Sequence, residues 1–276
     1  MNYPPLDELI QNYLDWLKNV KAAPYHTFRA YQVDLIQFLK YFLRIERNDI
    51  PGKEEMEEYL LTVKNKYNYA SYRRKITVLR NFTKYLVDSG LNVPDPFISI
   101  SLPMPDINFN LPVTYEEVLS LIDSLPENDL LQIRDKLIFS LIAKSGLTIK
   151  QLLSLKIKNV NLANNKIILS KNQLTFLDDK TKTLTEKYLS RVGETCNISL
   201  EDYVITNWDK KLKGSQLPLS TRTINLIIDK TARERNFHSR LSPTILRRLF
   251  AKSLGEKNIN QSTKELIFGK KCRLVG

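Results

Sequence analysis

Residues 134–162 read RDKLIFSLIAKSGLTIKQLLSLKIKNVNL, and this stretch decides how the second half of the chain folds. Together with Leu131 and Ile133 just before it, Leu137, Ile138, Leu141 and Ile142 make a strongly apolar helix, which belongs in the core of a domain. Upstream, VTYEEVLSLIDSL (residues 113–125) sets Thr114 three positions before Glu117, a capping box in front of an apolar run. Downstream come strand-like pieces at Lys166–Ser170, Gln173–Leu177 and Tyr203–Thr206, the first two close enough to form a hairpin. Helical periods resume over 219–232, 243–254 and 261–268. The region is mixed α+β.

The first hundred residues are helical by period. Leu6, Ile10, Tyr13, Leu14 and Leu17 recur at three- and four-residue steps, as do Phe28, Tyr31, Leu35, Leu39 and Phe42. Met56, Tyr59, Leu60 and Val63 mark a third helix. Ile76, Leu79, Phe82, Thr83 and Leu86 mark a fourth, closed by Ser89-Gly90. Four helices with brief connections predict a small bundle. The stretch LNVPDPFISISLPMPDINFNLP (91–112) has five prolines and no helical period, which predicts a domain boundary. The expected organisation is a helical domain over 1–100, a linker over 101–112 and a second domain over 113–276. The fold class is mainly α with a small β-hairpin or sheet.

Charge is distributed unevenly. The chain carries 42 Lys+Arg against 30 Asp+Glu, a formal net charge of +12. Residues 210–276 hold 16 basic and 4 acidic side chains, so the whole excess sits in the last quarter. A polyanion is the partner such a distribution favours. No apolar run approaches the length needed to span a bilayer, so no membrane role is expected. The start, MNYPPLDELI, lacks the basic-then-apolar order of a signal peptide, and the expected location is cytoplasmic. Cys196 and Cys272 form no CxxC, and the only histidines, His26 and His238, have no second ligand at metal spacing. Neither metal nor cofactor is expected, and no glycine-rich nucleotide motif is present.

Six segments, in order, carry a resemblance to a known family: TFRAYQVDLIQFLKYF (27–42), SYRRKITVLRNFTKYLVDSGLNVPDP (71–96), LPVTYEEVLSLIDSL (111–125), the opening stretch at 134–162, LSPTILRRLFAKSL (241–254) and LIFGKK (266–271). The fifth resembles the signature HxLRHTFATHL and the sixth the element LLGH. The chain resembles the tyrosine recombinases of the Xer and phage-integrase type over nearly all its length. The resemblance implies an N-terminal SAM-like helical bundle and a C-terminal catalytic-type domain that together clamp duplex DNA. It also implies cleavage by a tyrosine nucleophile, with cations around the scissile phosphate and an acid for the leaving oxygen.

Carried over residue by residue, much of that set is replaced. The first arginine position is Thr148, and the acidic position three further on is Gln151. The hairpin lysine is Lys171, with Lys166 as a rival. The first histidine position is Thr244, the second arginine is retained as Arg247, and the next histidine position is Arg248. The last histidine position is Lys270. The tyrosine would fall beyond Gly276, and none of the tyrosines present lies where the family puts one. The expectation is a DNA-binding relative that does not cut DNA, with Arg247 and Lys171 as vestiges of the catalytic set. Two alternatives stand beside it. One is a working recombinase subunit, active in DNA integration or recombination, that takes a tyrosine from a partner in trans. The other is an accessory protein of a recombinase complex.

Candidate DNA-backbone contacts are Arg29, Arg73, Arg74, Lys75 and Arg80 in the first domain, and Arg247, Arg248, Lys252 and Lys270 in the second. Permanently charged residues at histidine positions keep phosphate affinity but remove a proton donor matched to neutral pH. The expected partner is double-stranded DNA, with self-association or association with an active recombinase as further possibilities. Glu54, Glu55, Glu57 and Glu58 are expected to face solvent or a partner.

Overall fold

Prolines lead into the first two helices: Pro5 and Pro24 immediately precede α1 (Leu6–Asn19) and α2 (Tyr25–Leu43). Gly52 opens α3 (Lys53–Lys66), its N–H donating to Glu55 Oε2 at 2.8 Å. Asn68 caps α4 (Tyr69–Asp88) by accepting from the Ser71 N–H at 3.0 Å. The structure, a computed structural model, describes residues 4–91, 111, 113–207 and 217–269.

The four helices belong to the first of two compact units, Met1–Ile107. Their apolar faces meet in one core built on Leu6, Tyr13, Leu35, Phe38, Phe42, Tyr59, Ile76 and Phe82. Phe38 rather than Leu39 is the deeply buried position of α2. Of the acidic run, Glu54, Glu57 and Glu58 are exposed, while Glu55 turns back to Gly52 and pairs with Arg47.

The second unit, Asn108–Gly276, begins with α5 (Tyr115–Ser124) behind the Thr114–Glu117 capping box. Next comes α6 (Leu130–Ala143), buried on nearly every side and packed on its neighbours. A short helix, α7 (Ile149–Ser154), follows, then a 3-10 turn over Ile157–Asn159. Strands β1 (Val160–Asn161), β2 (Lys166–Ser170) and β3 (Gln173–Phe176) make an antiparallel sheet in sequence order. Helices α8 (Asp179–Gly193), α9 (Thr221–Glu234), α10 (Pro243–Glu256) and α11 (Gln261–Phe268) complete the described part.

Two differences from the sequence reading have local causes. The strand expected at Tyr203–Thr206 forms only isolated bridges, Lys156 with Tyr203 and Thr206 with Pro218. Its bonds go to connecting segments: Val204 N–H donates to Leu155 O at 2.8 Å, and Asp202 O accepts from Ile157 N–H at 2.9 Å. Helix α8 carries no apolar stripe strong enough to announce it, because threonines fill two of its buried positions. Its five buried positions are Thr181, Leu184, Thr185, Tyr188 and Val192. Most of the expected linker lies outside the described residues, as do Lys270 and Cys272.

Candidate phosphate-binding site

Arg247 lies on α10, whose start is fixed by Ser242 accepting from the Ile245 N–H at 3.3 Å and by Pro243 in the first turn. Half-buried, Arg247 donates from Nε to the carbonyl oxygen of Gly146 at 2.8 Å. Its guanidinium lies over the Phe268 ring, 5.1 Å from the centroid. A cation on an aromatic face and a hydrogen bond at one edge fix the plane of the guanidinium.

The turn that receives Arg247 is the end of α6. Gly146 has φ +68°, and a Cβ there would come within 2.7 Å of the Phe250 ring. Only glycine fits. Ser145 beside it is buried and bonded in both directions to β3: Ser145 Oγ donates to Phe176 O at 2.8 Å, and Thr175 Oγ1 donates to Ser145 O at 2.6 Å. Gln173 Nε2 donates to Ile267 O at 2.8 Å, tying the same hairpin to α11. Arg247, the 145–146 turn, the hairpin and α11 therefore form one cross-linked assembly.

Lys171 sits in the two-residue turn of this hairpin and is exposed, two positions before Gln173, the strand residue that holds α11. Lys166, its rival, is exposed at the other end of β2, opposite Phe176 in the ladder. Thr148 and Gln151 are engaged with each other. Thr148 Oγ1 accepts from Gln151 N–H at 3.1 Å and donates to Gln151 Oε1 at 2.9 Å; that oxygen also accepts from Thr148 N–H at 2.8 Å. The pair is a capping box that starts α7.

On α10, Thr244, Arg248 and Lys252 follow one another at four-residue steps, so they share a face. Thr244 and Lys252 are exposed and Arg248 is half-buried. Lys252 pairs with Glu256 at 3.8 Å. Lys270 lies outside the described residues, as do Lys210, Lys211, Lys213, Lys271 and Arg273 of the basic C-terminal quarter. Lys144, immediately before the turn, is paired with Asp178 at 3.3 Å and Asp123 at 4.0 Å.

Tyr115 packs against both the main core of this unit and the cluster of Phe250, Ala251, Ile267 and Phe268. Burial, and then the negative charge of Asp178, push its phenol up to about 12, against a hydrogen bond with Ser253 that acts the other way. A phenol so disfavoured as phenolate is a packing group at neutral pH. His238 is exposed with its ring against Phe237. Among the described residues no group of three or more His, Cys, Asp or Glu could hold a metal ion.

In the first unit, Arg73, Thr77, Arg80 and Lys84 recur along one side of α4, with Arg74 beside them. Arg29 is exposed on α2 and donates to Gln32 Oε1 at 3.0 Å. Lys75 corrects the sequence reading. Only 2% of its side chain is exposed, and its ammonium is bonded inside the bundle to Asp34 and Gln37, so it presents no charge to a surface ligand. The sequence reading also missed Ser145, Thr175, Gln173 and Phe268, which organise the assembly around Arg247. Thr148–Gln151 does carry the capping pattern in plain sequence.

Residues 112–270 match the phage integrase family, and residues 10–90 match the phage integrase N-terminal SAM-like domain. A tyrosine recombinase of Pseudothermotoga lettingae is 30% identical over 267 residues, covering 92% of this chain and 87% of that protein. Tyrosine recombinase XerC of Lactobacillus leichmannii is 27% identical over 274 residues, covering 94% and 89%. Among solved structures, the Tn1549 transposon integrase in complex with transposon right end DNA superposes with a TM-score of 0.72 at 12% identity, covering 98% of this chain and 92% of that one. XerH bound to a palindromic difH substrate gives 0.70 at 16% identity, covering 92% and 76%. At those identities the structural likeness is one of fold. Among the described residues no helix is long and apolar enough to cross a membrane. By these matches over both units, the chain belongs to the phage integrase family of tyrosine recombinases and is Xer-like.

Proposed function

We propose that the chain binds duplex DNA through two modules, the helical domain over 1–100 and the catalytic-type domain over 113–276, and that it does not cleave the strand it holds. Its solved relatives include recombinases captured on DNA, among them the Tn1549 integrase and XerH. The basic C-terminal quarter supplies the attraction. Arg247, Arg248 and Lys252, with Lys171 on the hairpin and Lys270 beyond α11, are the contacts in the second module. Arg29, Arg73, Arg74 and Arg80 serve in the first. The proposed site of action is the cytoplasm.

The observation that carries the inactive reading is the capping box of Thr148 and Gln151. In place of a cation that would offset charge growing on the phosphate, this position holds a neutral hydroxyl already committed to the start of α7. Thr244, Arg248 and Lys270 at the three histidine positions supply no proton donor matched to neutral pH. Binding is retained by permanent charge and the chemistry is lost.

A nicked suicide duplex that traps phosphotyrosyl adducts tests the inactive half. No adduct is expected, and one that survives denaturation would overturn it. Mobility shifts over a salt series test the binding half. Affinity should fall steeply with salt as counterions are released, and a flat response would remove phosphate neutralisation as its basis.

A further inference from the structure

The ion pair that withdraws Lys75 from the surface is part of a larger cluster between α2 and α4. Asp34 and Lys75 are each 2% exposed, and Lys75 Nζ donates to Asp34 Oδ1 at 2.8 Å. The same ammonium donates to Gln37 Oε1 at 2.5 Å and lies 4.6 Å from the centroid of the Tyr67 ring. The Tyr67 hydroxyl donates to that Gln37 oxygen at 3.3 Å. Asp34 Oδ2 is buried with no hydrogen-bond partner among the described residues. Drawing two ions out of water is costly, and a hydrophobic pair of similar volume commonly serves stability as well or better. Packing alone does not explain this arrangement.

The third charge gives the cluster an outlet. Arg74 Nη2 donates to the same Asp34 oxygen at 3.1 Å, and 46% of the Arg74 side chain is exposed. Lys75 neutralises the carboxylate from inside, so the remaining positive charge of the group is carried by Arg74 at the surface. A guanidinium has several N–H donors in a rigid fork, and a bond to Asp34 on one side leaves the outer edge able to take a phosphate. An arginine already held by a buried carboxylate loses less freedom on binding than one swinging in solvent. Beside it, Arg73, Arg80 and Lys84 line the same region of α4.

We propose that Asp34, neutralised from within by Lys75, is a positioning residue that holds Arg74 ready to contact the phosphate backbone of duplex DNA. This rests on the reading of the chain as a DNA-binding protein. It adds that a buried, uncharged-on-balance pair sets the geometry of one surface contact.

The test is a mutant cycle on the full chain, read by mobility shift with duplex DNA over a salt series and by circular dichroism for folding. Arg74→Ala should weaken binding about tenfold and lower the salt slope by about one. The double replacement Asp34→Asn with Lys75→Met removes both buried charges together. It should weaken binding by a similar factor, although it leaves the net charge of the protein unchanged. Adding Arg74→Ala to that background should then cost little more. Equal cost of Arg74→Ala in both backgrounds, or wild-type affinity in the folded double variant, overturns the proposal. If the double variant does not fold, Arg74→Lys decides. It keeps the charge but cannot span carboxylate and phosphate with one planar fork, so several-fold weaker binding is expected and wild-type affinity overturns the proposal. Salt-dependent binding by the wild type alongside a silent Arg74→Ala sinks this inference alone. Absence of any duplex binding by the wild type sinks the function it rests on.

Discussion

Arg247 and Gly146 are 101 residues apart in sequence and joined by one hydrogen bond, Arg247 Nε to Gly146 O at 2.8 Å. The bond closes a chain of contacts from α10 to the turn after α6, from that turn through Ser145 to the hairpin, and from the hairpin through Gln173 to α11. Phe268, at the end of α11, lies against the guanidinium and completes the ring. The cation is therefore held by its surroundings before any ligand arrives.

Arg247→Ala should reduce duplex affinity about tenfold or more and lower the salt slope by about one, as loss of one phosphate contact does. Arg247→Lys should not restore it, since an ammonium has no planar fork to bond Gly146 and a phosphate together. Titration by fluorescence anisotropy at several salt concentrations checks both. Full rescue by lysine would mean that charge alone matters and the fixed plane does not.

Gly146→Ala should destabilise the second unit by about 2–4 kcal/mol, from left-handed backbone and overpacking together. At φ +68° a Cβ is strained, and it would meet Phe250 at 2.7 Å and Phe268 at 3.1 Å. Phe250→Leu on the same background should recover part of the loss by opening space, leaving the backbone share. Thermal unfolding followed by circular dichroism gives the measurement. A melting temperature unchanged in Gly146→Ala would refute the fit described for this turn.

Thr148→Arg should separate the cap from the site. Loss of the capping oxygen should cost about 1 kcal/mol of stability. The added cation should tighten duplex binding several-fold and steepen its salt dependence, with no gain of cleavage. Lower stability without tighter binding would place Thr148 away from the phosphate.

What was legible in the sequence was local. The apolar period of α6, the Thr114–Glu117 box and the β2–β3 spacing each depend on residues a few positions apart, and each appears where the pattern puts it. The order of segments also carried the family, because it samples the whole chain. Pairings across long separations were not legible. Arg74 and Lys75 are neighbours in sequence and both basic; their different fates are decided by Asp34, 40 and 41 residues away. Helix α8 escaped the hydrophobic period because Thr181 and Thr185 occupy core positions, where the Thr185 hydroxyl is satisfied within the helix by donating to Thr181 O at 2.7 Å. Tyr203–Thr206 has the composition of a strand, yet its bonding partners are connecting segments, and no local pattern records that choice. At Thr148–Gln151 the capping pattern was in view, but the family comparison reads the same two residues as losses.

The half-buried phenol of Tyr115 makes the second unit sensitive to alkali. Its ionisation is raised from 10.0 to about 12, chiefly by burial and then by Asp178. A group whose value is raised on folding contributes stability that is fully present below its unfolded value and is lost as pH rises through its folded one. The contribution should therefore hold up to about pH 10 and disappear between about 10 and 12. Tyr115→Phe keeps the ring against Phe250 and Phe268 and removes the ionisable hydroxyl, so its melting temperature should fall less over that window than that of the wild type. Thermal melts of both proteins at intervals from pH 8 to 12, with phenolate absorbance recorded alongside, provide the check. Parallel curves throughout would show that the Tyr115 hydroxyl does not ionise with the raised value described.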